Sequence, residues 1–289
     1  MSKAVAGSIP VFKLYGETTE WPTPDLIHCE SIPERSALNG WEIKPHRHSD
    51  LVQLLYVRKG RATLRVEEVV HEVDSPSLQV VPALSVHTFR FSEDIQGYVL
   101  SLAQPLAEQI GATLNSPVLN VPACYSAGFE GDYLDTVFAA VSREYGQHET
   151  SRDTMLHSLI TVMTVWLTRR HQASAISDVT QPDRGREYLH VFSRTLEQRF
   201  REHLTIEQYA ADVGISTAHL NALCRKLCGQ SALQMINQRL LLEAKRDLVY
   251  TAMTVNQVSD RLGFSEPSYF SRFFKRGTGL SPKAFRVQR

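Results

Sequence analysis

Thr205-Ile206-Glu207-Gln208-Tyr209-Ala210-Ala211-Asp212-Val213-Gly214-Ile215-Ser216 is answered, 49 residues further on, by Thr254-Val255-Asn256-Gln257-Val258-Ser259-Asp260-Arg261-Leu262-Gly263-Phe264-Ser265. Thr, Gln, Gly and Ser recur at matching places, and Ile206/Val255, Val213/Leu262 and Ile215/Phe264 keep their apolar character. Each copy reads as a helical run, a Gly that ends it, and a second run with Ser as its N-cap. That pattern is a helix-turn-helix. The small residue before the Gly, Ala210 or Ser259, lets the second helix approach closely, and the Gly takes the positive φ of the turn. One such hairpin is a common structural device, but two copies joined by a helix-length spacer point to DNA binding. The groove readers are then Ser216 to Leu227 and Ser265 to about Arg276.

Within the first reader helix, Thr217, Ala218, Asn221 and Arg225 are expected on the groove face. Asn pairs with adenine, while Ala and the Thr methyl meet thymine methyls. In the second, Ser268, Ser271 and Arg272 are the base-edge candidates, and Lys226, Lys275 and Arg276 are expected on phosphates. Leu220, Leu223, Leu227, Phe270, Phe273 and Phe274 recur at helical spacing and read as core. The spacer, Ser231 to Val249, carries Leu233, Ile236, Leu240, Leu241, Ala244 and Leu248 on one face. Roughly 17 helical residues at 1.5 Å each span about 25 Å. With the flanking turns, that length can set two reader helices about one DNA turn, near 34 Å, apart.

Charge supports this division. The 289-residue chain carries 31 Lys/Arg and 31 Asp/Glu, yet from Arg186 onward there are 16 basic and 9 acidic residues, a balance of +7 against −7 for the rest. A basic tail beside an acidic body fits a protein of which one half meets phosphates; a solvated helical surface is the bland alternative. No apolar run approaches 18 residues and the N-terminus lacks a signal-peptide core, so a cytoplasmic protein with no membrane partner is expected. Four scattered cysteines suggest no disulfide framework, and Cys224 and Cys228 read as small core residues.

Residues 1–40, with prolines at 10, 22, 24 and 33, read as an irregular arm. Short β runs follow: Val52 to Val57, Ala62 to Val66, Leu78 to Val81, Val86 to Phe91 and Tyr98 to Leu102. Such a series suggests a small barrel or jelly roll. Gly40, His46-Arg47-His48, Gln53 and Gly60 have the spacing of the first cupin motif, with Gln where metal-binding members usually carry Glu. Pro82 and His87 resemble part of the second motif, while Pro76, Leu84 and Phe91 depart from it. Three readings of the cluster stay open: metal chemistry, a metal-free ligand pocket, or structural histidines. The missing carboxylate and the lack of a general base in register favour a pocket with no metal, no cofactor and no enzymatic activity. Its candidate ligand contacts are Trp41, His46, Arg47, His48, Gln53, His87 and Phe89.

Helical periodicity then runs from Asp132 to Gln147 and from Ser151 to Arg170. Leu134, Val137, Phe138 and Val141 form one stripe; Leu156, Leu159, Ile160, Met163, Trp166 and Leu167 form a wider one, suited to covering the barrel or to a two-fold interface. Ala173 to Arg186 is polar, with Pro182 and Gly185, and reads as a linker. The expected class is α+β multidomain. A cupin-like β barrel with an N-terminal arm (1–130), a helical dimerisation segment (131–172) and a linker (173–186) precede an all-α domain of two helix-turn-helices joined by a helix (187–289).

Residues Gly263 to Lys275, with Gly279-Leu280-Ser281-Pro282 behind them, closely resemble the signature of the AraC/XylS transcription regulators. The resemblance covers nearly the whole chain. It implies double-stranded operator DNA and RNA polymerase as partners, a homodimer, and a small-molecule effector. Ala218 and Ala222 stand where several members carry larger contacting side chains. Ile9 to Gly16, Trp21 to Asp25 and Trp41 to His48 are similar to the PobR-type activators, which implies 4-hydroxybenzoate as effector and its catabolic genes as target. Against this stand a metal-dependent cupin enzyme with a DNA-binding tail, and an effector-independent DNA binder.

Overall fold

The computed structural model describes residues 10–12, 26–147, 149–174 and 184–287, and the chain divides near residue 180 into two compact units. In the first unit the strands are β1 (Val11–Phe12), β2 (Ile27–Ser31), β3 (Glu42–His48), β4 (Leu51–Lys59), β5 (Ala62–Val66), β6 (Val69–Val73), β7 (Ser77–Val81), β8 (His87–Phe91), β9 (Gln96–Ala103) and β10 (Ala123–Ser126). They form two five-stranded sheets, β1-β3-β8-β5-β6 and β10-β7-β4-β9-β2, rather than one continuous barrel. Every pair is antiparallel except β1 with β3.

Alternation explains how the sheets stack. Ile43, Leu64, Val66, Phe89 and Phe91 of one sheet share an apolar core with Leu55, Val57 and Val81 of the other. The opposite face of β4, with Leu54 and Tyr56, is buried as well. Helix α3 (Gly131–Tyr145) covers it: Phe138 stacks on Tyr56 with centroids 4.7 Å apart, and the Tyr56 hydroxyl donates to the Gly131 carbonyl at 3.2 Å. That explains why β4 reads as a continuous apolar run, since both its faces are covered.

Five strands, β1, β2, β3, β6 and β10, lie outside the expected β runs. The β3 strand hides because Lys44-Pro45 interrupts the alternation, and its pairing with β8 slips between Ile43 and His46. The β6 strand lies at a sheet edge with Val69 and Val70 exposed, and β10 is only four residues long. Ile27 to Ser36 is not irregular: β2 leads into α1 (Ile32–Ser36), where Ser31 and Glu34 form a capping box. Helix α2 (Gln104–Leu114) was also unanticipated. In α4 (Arg152–Ser174), Leu156, Ile160, Met163, Trp166 and Leu167 are buried within this unit. All of the wide stripe except half-buried Leu159 therefore packs on its own domain. The expected linker begins inside α4 and ends inside α5 (Arg184–Arg199). Residues 175–183 between them, and most of the arm, lie outside the described residues.

Among the described residues the second unit is helical: α5, α6 (Ile206–Val213), α7 (Thr217–Leu223), α8 (Ala232–Tyr250), α9 (Val255–Arg261), α10 (Pro267–Thr278) and α11 (Pro282–Val287). The recurring Thr and Gln are capping boxes. Thr205 Oγ1 accepts from the Gln208 amide at 3.3 Å while Gln208 Oε1 accepts from the Thr205 amide at 2.8 Å, and Thr254 with Gln257 repeats this at 3.2 and 2.8 Å. Ala210 and Ser259 are buried at the helix crossing, as their size requires. Phe270, Phe273 and Phe274 anchor α10 in the core, each worth about 1.5–3 kcal/mol of burial.

Candidate nucleic-acid interface and sensor site

The two turns look alike and then diverge. Gly214 and Gly263 both sit at φ 79°, and the amides of Ile215 and Phe264 close on the Ala210 and Ser259 carbonyls at 3.0 and 3.1 Å. In the first unit Ser216 is the N-cap, accepting from the His219 amide at 3.2 Å. In the second, the expected cap Ser265 is displaced by Glu266, with Pro267 as the first helical residue. Reader helices therefore match at a spacing of 50, from Ser216 to Glu266, although the helices before them match at 49, from Thr205 to Thr254. Sequence reading missed this extra residue because both turns end on Ser.

At that spacing the faces align residue by residue. Leu220 and Phe270 are buried partners, as are Leu223 and Phe273, and Cys224 and Phe274. The exposed stripe is Ala218, Ala222, Arg225 and Lys226 on the first helix, and Ser268, Arg272, Lys275 and Arg276 on the second. Thr217 is half-buried at the start of α7. Asn221 and Ser271 occupy equivalent positions and are both half-buried. Asn221 Oδ1 accepts from the Ala232 amide at 3.2 Å, and its Nδ2 donates to the Thr217 carbonyl at 3.2 Å. Its amide thus joins α7 to α8, against the expectation that it faces a base. Exposed His219 and Tyr269, which occupy equivalent positions at this spacing, were not singled out.

Helix α7 is short because a wide π turn, Cys224–Cys228, completes it. Cys224 and Cys228 are buried there, and burial pushes the Cys224 thiol up to about 12, as expected of core residues. Ion pairs tie linker helix α8 to α5, to the turn after it and to α9. Arg239 donates to both Glu197 oxygens at 2.6 and 2.8 Å, and to Glu243 at 3.0 Å. Arg201 reaches Glu243 at 3.0 Å, and Arg261 of α9 reaches Asp247 at 3.0 Å.

Between the sheets of the first unit, most of the expected ligand contacts converge. His46 of β3 lies directly across from His87 of β8, and His48 follows on the same face. The imidazole centroids are 4.1 Å (His46–His87), 4.9 Å (His46–His48) and 5.2 Å (His48–His87) apart, and all three rings are buried. Phe89 continues the strand, its ring 5.2 Å from His87, and Trp41 packs on the same core. Gln53, paired with Ser101 and Val81, faces the interior from the other sheet and donates to Ser101 Oγ at 3.1 Å. Arg47 is the exception: strand alternation turns it to the opposite face from His46 and His48. Buried Gln79 was missed, though its place inside the apolar run Leu78–Val81 could have signalled it.

Two main-chain devices fix the rings. Leu84 holds a left-handed φ of 67°, and its amide donates to the His48 carbonyl at 2.7 Å. Such a backbone costs a residue with a Cβ about 1 kcal/mol and is retained only where the surroundings impose it. His46 Nδ1 donates to the Lys44 carbonyl at 2.8 Å and His87 Nδ1 to the Ser85 carbonyl at 2.9 Å. Burial, then the neighbouring His48, holds His46 near 3; burial, then His46 and His48, holds His87 well below the usual imidazole range. Both rings are therefore neutral at pH 7.

Comparison with known proteins agrees with this division. Residues 28–160 match the AraC-like ligand binding domain, and residues 209–288 match a helix-turn-helix domain. The chain is 22% identical over 253 residues to the uncharacterized HTH-type transcriptional regulator YdiP of Escherichia coli K12, covering 86% of this chain and 82% of that protein. It is 37% identical over 85 residues to the arabinose operon regulatory protein of Salmonella typhimurium LT2, covering 29% of this chain and 30% of that one. The DNA-binding domain of the global transcriptional factor AdpA, solved with a target DNA, matches at 30% identity and TM-score 0.33, covering 35% of this chain and 90% of that one. No described helix is long and apolar enough to cross a membrane. With a ligand-binding domain joined to a helix-turn-helix domain, the chain belongs to the AraC family of DNA-binding transcription regulators.

Proposed function

We propose that this regulator is an effector-responsive activator that reads a two-part operator through the exposed faces of α7 and α10. The observation that carries the reading is the pair of matched stripes, ending in Arg225-Lys226 and Lys275-Arg276, on two capped helix-turn-helices. Basic residues at the reader-helix ends fit phosphates, and Arg272 fits a guanine edge. Selection from random duplexes should recover two short motifs about one helical turn apart. Recovery of unrelated sequences with equal affinity would leave only a non-specific binder.

The effector we propose is a small aromatic acid, with 4-hydroxybenzoate as the specific candidate, bound between the two sheets. Phe89 and Trp41 offer ring contacts, and the Gln53 amide can donate to a carboxylate. Binding would favour the state competent for DNA and for RNA polymerase. Calorimetry with 4-hydroxybenzoate, benzoate and 3,4-dihydroxybenzoate tests this: saturable heat with the first and weaker heat with the others is expected. We also propose a homodimer. The buried stripe of α4 is spent within the domain, but Met155, Leu159 and Val162 line another of its faces, with Met155 and Val162 exposed. A monomer at micromolar concentration by light scattering would rule that dimer out.

A further inference from the structure

We infer that His46, His48 and His87 form a binding site for a divalent transition metal of the zinc, nickel or cobalt type, inside the sensor domain. One potential ligand nitrogen from each ring lies within 4.8 Å of the other two, and all three residues are buried. The strands place them: His46 and His87 are cross-strand partners, and His48 lies two residues on along the same face.

Hydrogen bonding decides what such a cluster can hold. A carbonyl only accepts, so the bonds to Lys44 and Ser85 put the ring protons of His46 and His87 on Nδ1. Each Nε2 then carries a lone pair. For His87 that atom is fully buried with no hydrogen-bond partner among the described residues, a costly arrangement if the cluster served packing alone. The same fact separates a metal from a directly bound anion. Two acceptors repel a carboxylate, and making either Nε2 a donor while Nδ1 keeps its main-chain bond would require a buried imidazolium. A Lewis acid suits them, and a backbone carbonyl on the far nitrogen is the usual way to orient a metal-bound imidazole.

Three neutral nitrogens match zinc, nickel, cobalt or iron rather than magnesium or calcium, which take oxygen. With Gln at position 53, no carboxylate from that place offsets the ion's charge. The fourth coordination position stays open to water or to an anionic ligand. This goes beyond the effector reading, because the metal binds whether or not an aromatic acid does.

Full-length protein, stripped with chelator and dialysed, is titrated with Zn2+ against a chromophoric competitor and with Co2+ under visible spectroscopy. One ion per chain and a cobalt spectrum of low coordination number are expected. His87→Gln and, separately, His46→Gln should each weaken binding at least about 100-fold, since even outer partners of metal ligands cost 10–100-fold. Circular dichroism and DNA binding report whether each variant is folded. No stoichiometric binding by the folded wild-type protein overturns the site without reference to any variant. Unchanged affinity in a folded His87→Gln or His46→Gln protein overturns it too, by placing the metal elsewhere. A calorimetric response to 4-hydroxybenzoate in stripped protein bears only on the effector reading, so the two can fail separately.

Discussion

The two helix-turn-helix units are built from the same sentence and finish it differently. Each has a capping box, a small residue at the crossing and a left-handed Gly, yet Gly214 has open space around it while Gly263 is pressed against the Arg201 carbonyl. The first reader helix ends in a π turn and spends Asn221 on joining α8; the second runs for twelve residues over three buried phenylalanines. Their outward faces differ in the same direction, Ala218 and Ala222 against Ser268 and Arg272. We read the first unit as the more structural and the second as the more discriminating. The sequence repeat alone would have made them equals.

The largest effect should come from the glycines. A Cβ on Gly263 would lie 2.0 Å from the Arg201 carbonyl oxygen, whereas one on Gly214 would meet nothing within 4 Å. Both substitutions carry the strain of a left-handed backbone, about 1 kcal/mol. Gly263→Ala adds a backbone clash that only displacement relieves, so a loss of about 4 kcal/mol or more is expected in urea unfolding. Gly214→Ala should lose about 1 kcal/mol. Equal losses would remove the asymmetry between the two turns.

Next in size is the ion cluster on α8. Burial alone would raise the Glu243 pKa, but Arg239, Arg201 and Arg246 more than offset it and hold the carboxyl below its ordinary 4.5. A depressed folded-state value means stability that is full above pH 4.5 and is lost as pH falls through the lower value. Glu243→Ala leaves Arg239 and Arg201 short of a partner and should cost about 3 kcal/mol near neutral pH. It should also shrink the acid-side slope of stability. A slope identical to that of the wild type would mean the carboxyl is not the group being lost.

These differences show what the sequence could and could not disclose. The repeat was legible because capping and positive φ demand particular residues at particular offsets. Its extra residue was not, since Ser265 is as good a cap as Ser216 and only the packing of Phe270 and Phe273 sets the helix start at Pro267. In the sensor domain, β5 and β8 were legible from alternation, while β3, which carries two of the three histidines, was obscured by Pro45 and a bulge. Spacing singled out His46, His48 and His87 together. It could not reveal which ring nitrogens hold protons, because that depends on the carbonyls of Lys44 and Ser85. Nor could it tell that Arg47 faces away, or that α4 spends most of its stripe within its own domain.

Base reading should shift by a smaller amount. Arg272 is exposed at the middle of α10, and its equivalent on α7 is Ala222. Arg272→Ala should lose about 1–3 kcal/mol on the preferred site and relax preference at one base pair, read by binding to single-mismatch duplexes. Ala222→Arg runs the comparison backwards. It should sharpen preference in the first half-site or, failing that, add about one unit to the salt slope through a phosphate. If Arg272→Ala weakened every duplex alike, the discriminating role assigned to α10 would be lost.

The smallest effect is also the one in which the two units should agree. Arg225 and Lys275 occupy equivalent exposed positions near the ends of their reader helices, one fifty residues after the other. A phosphate contact carries no sequence information, so removing it lowers affinity for specific and random duplexes by the same factor. Each contact releases about one counterion, so Arg225→Ala and Lys275→Ala should each flatten the slope of log affinity against log salt by about one. The double variant should flatten it by about two, because the sites lie on separate helices and share no partner. A flattened slope for Lys275→Ala with none for Arg225→Ala would carry the asymmetry down to the phosphates, and leave the first unit as a scaffold for the second.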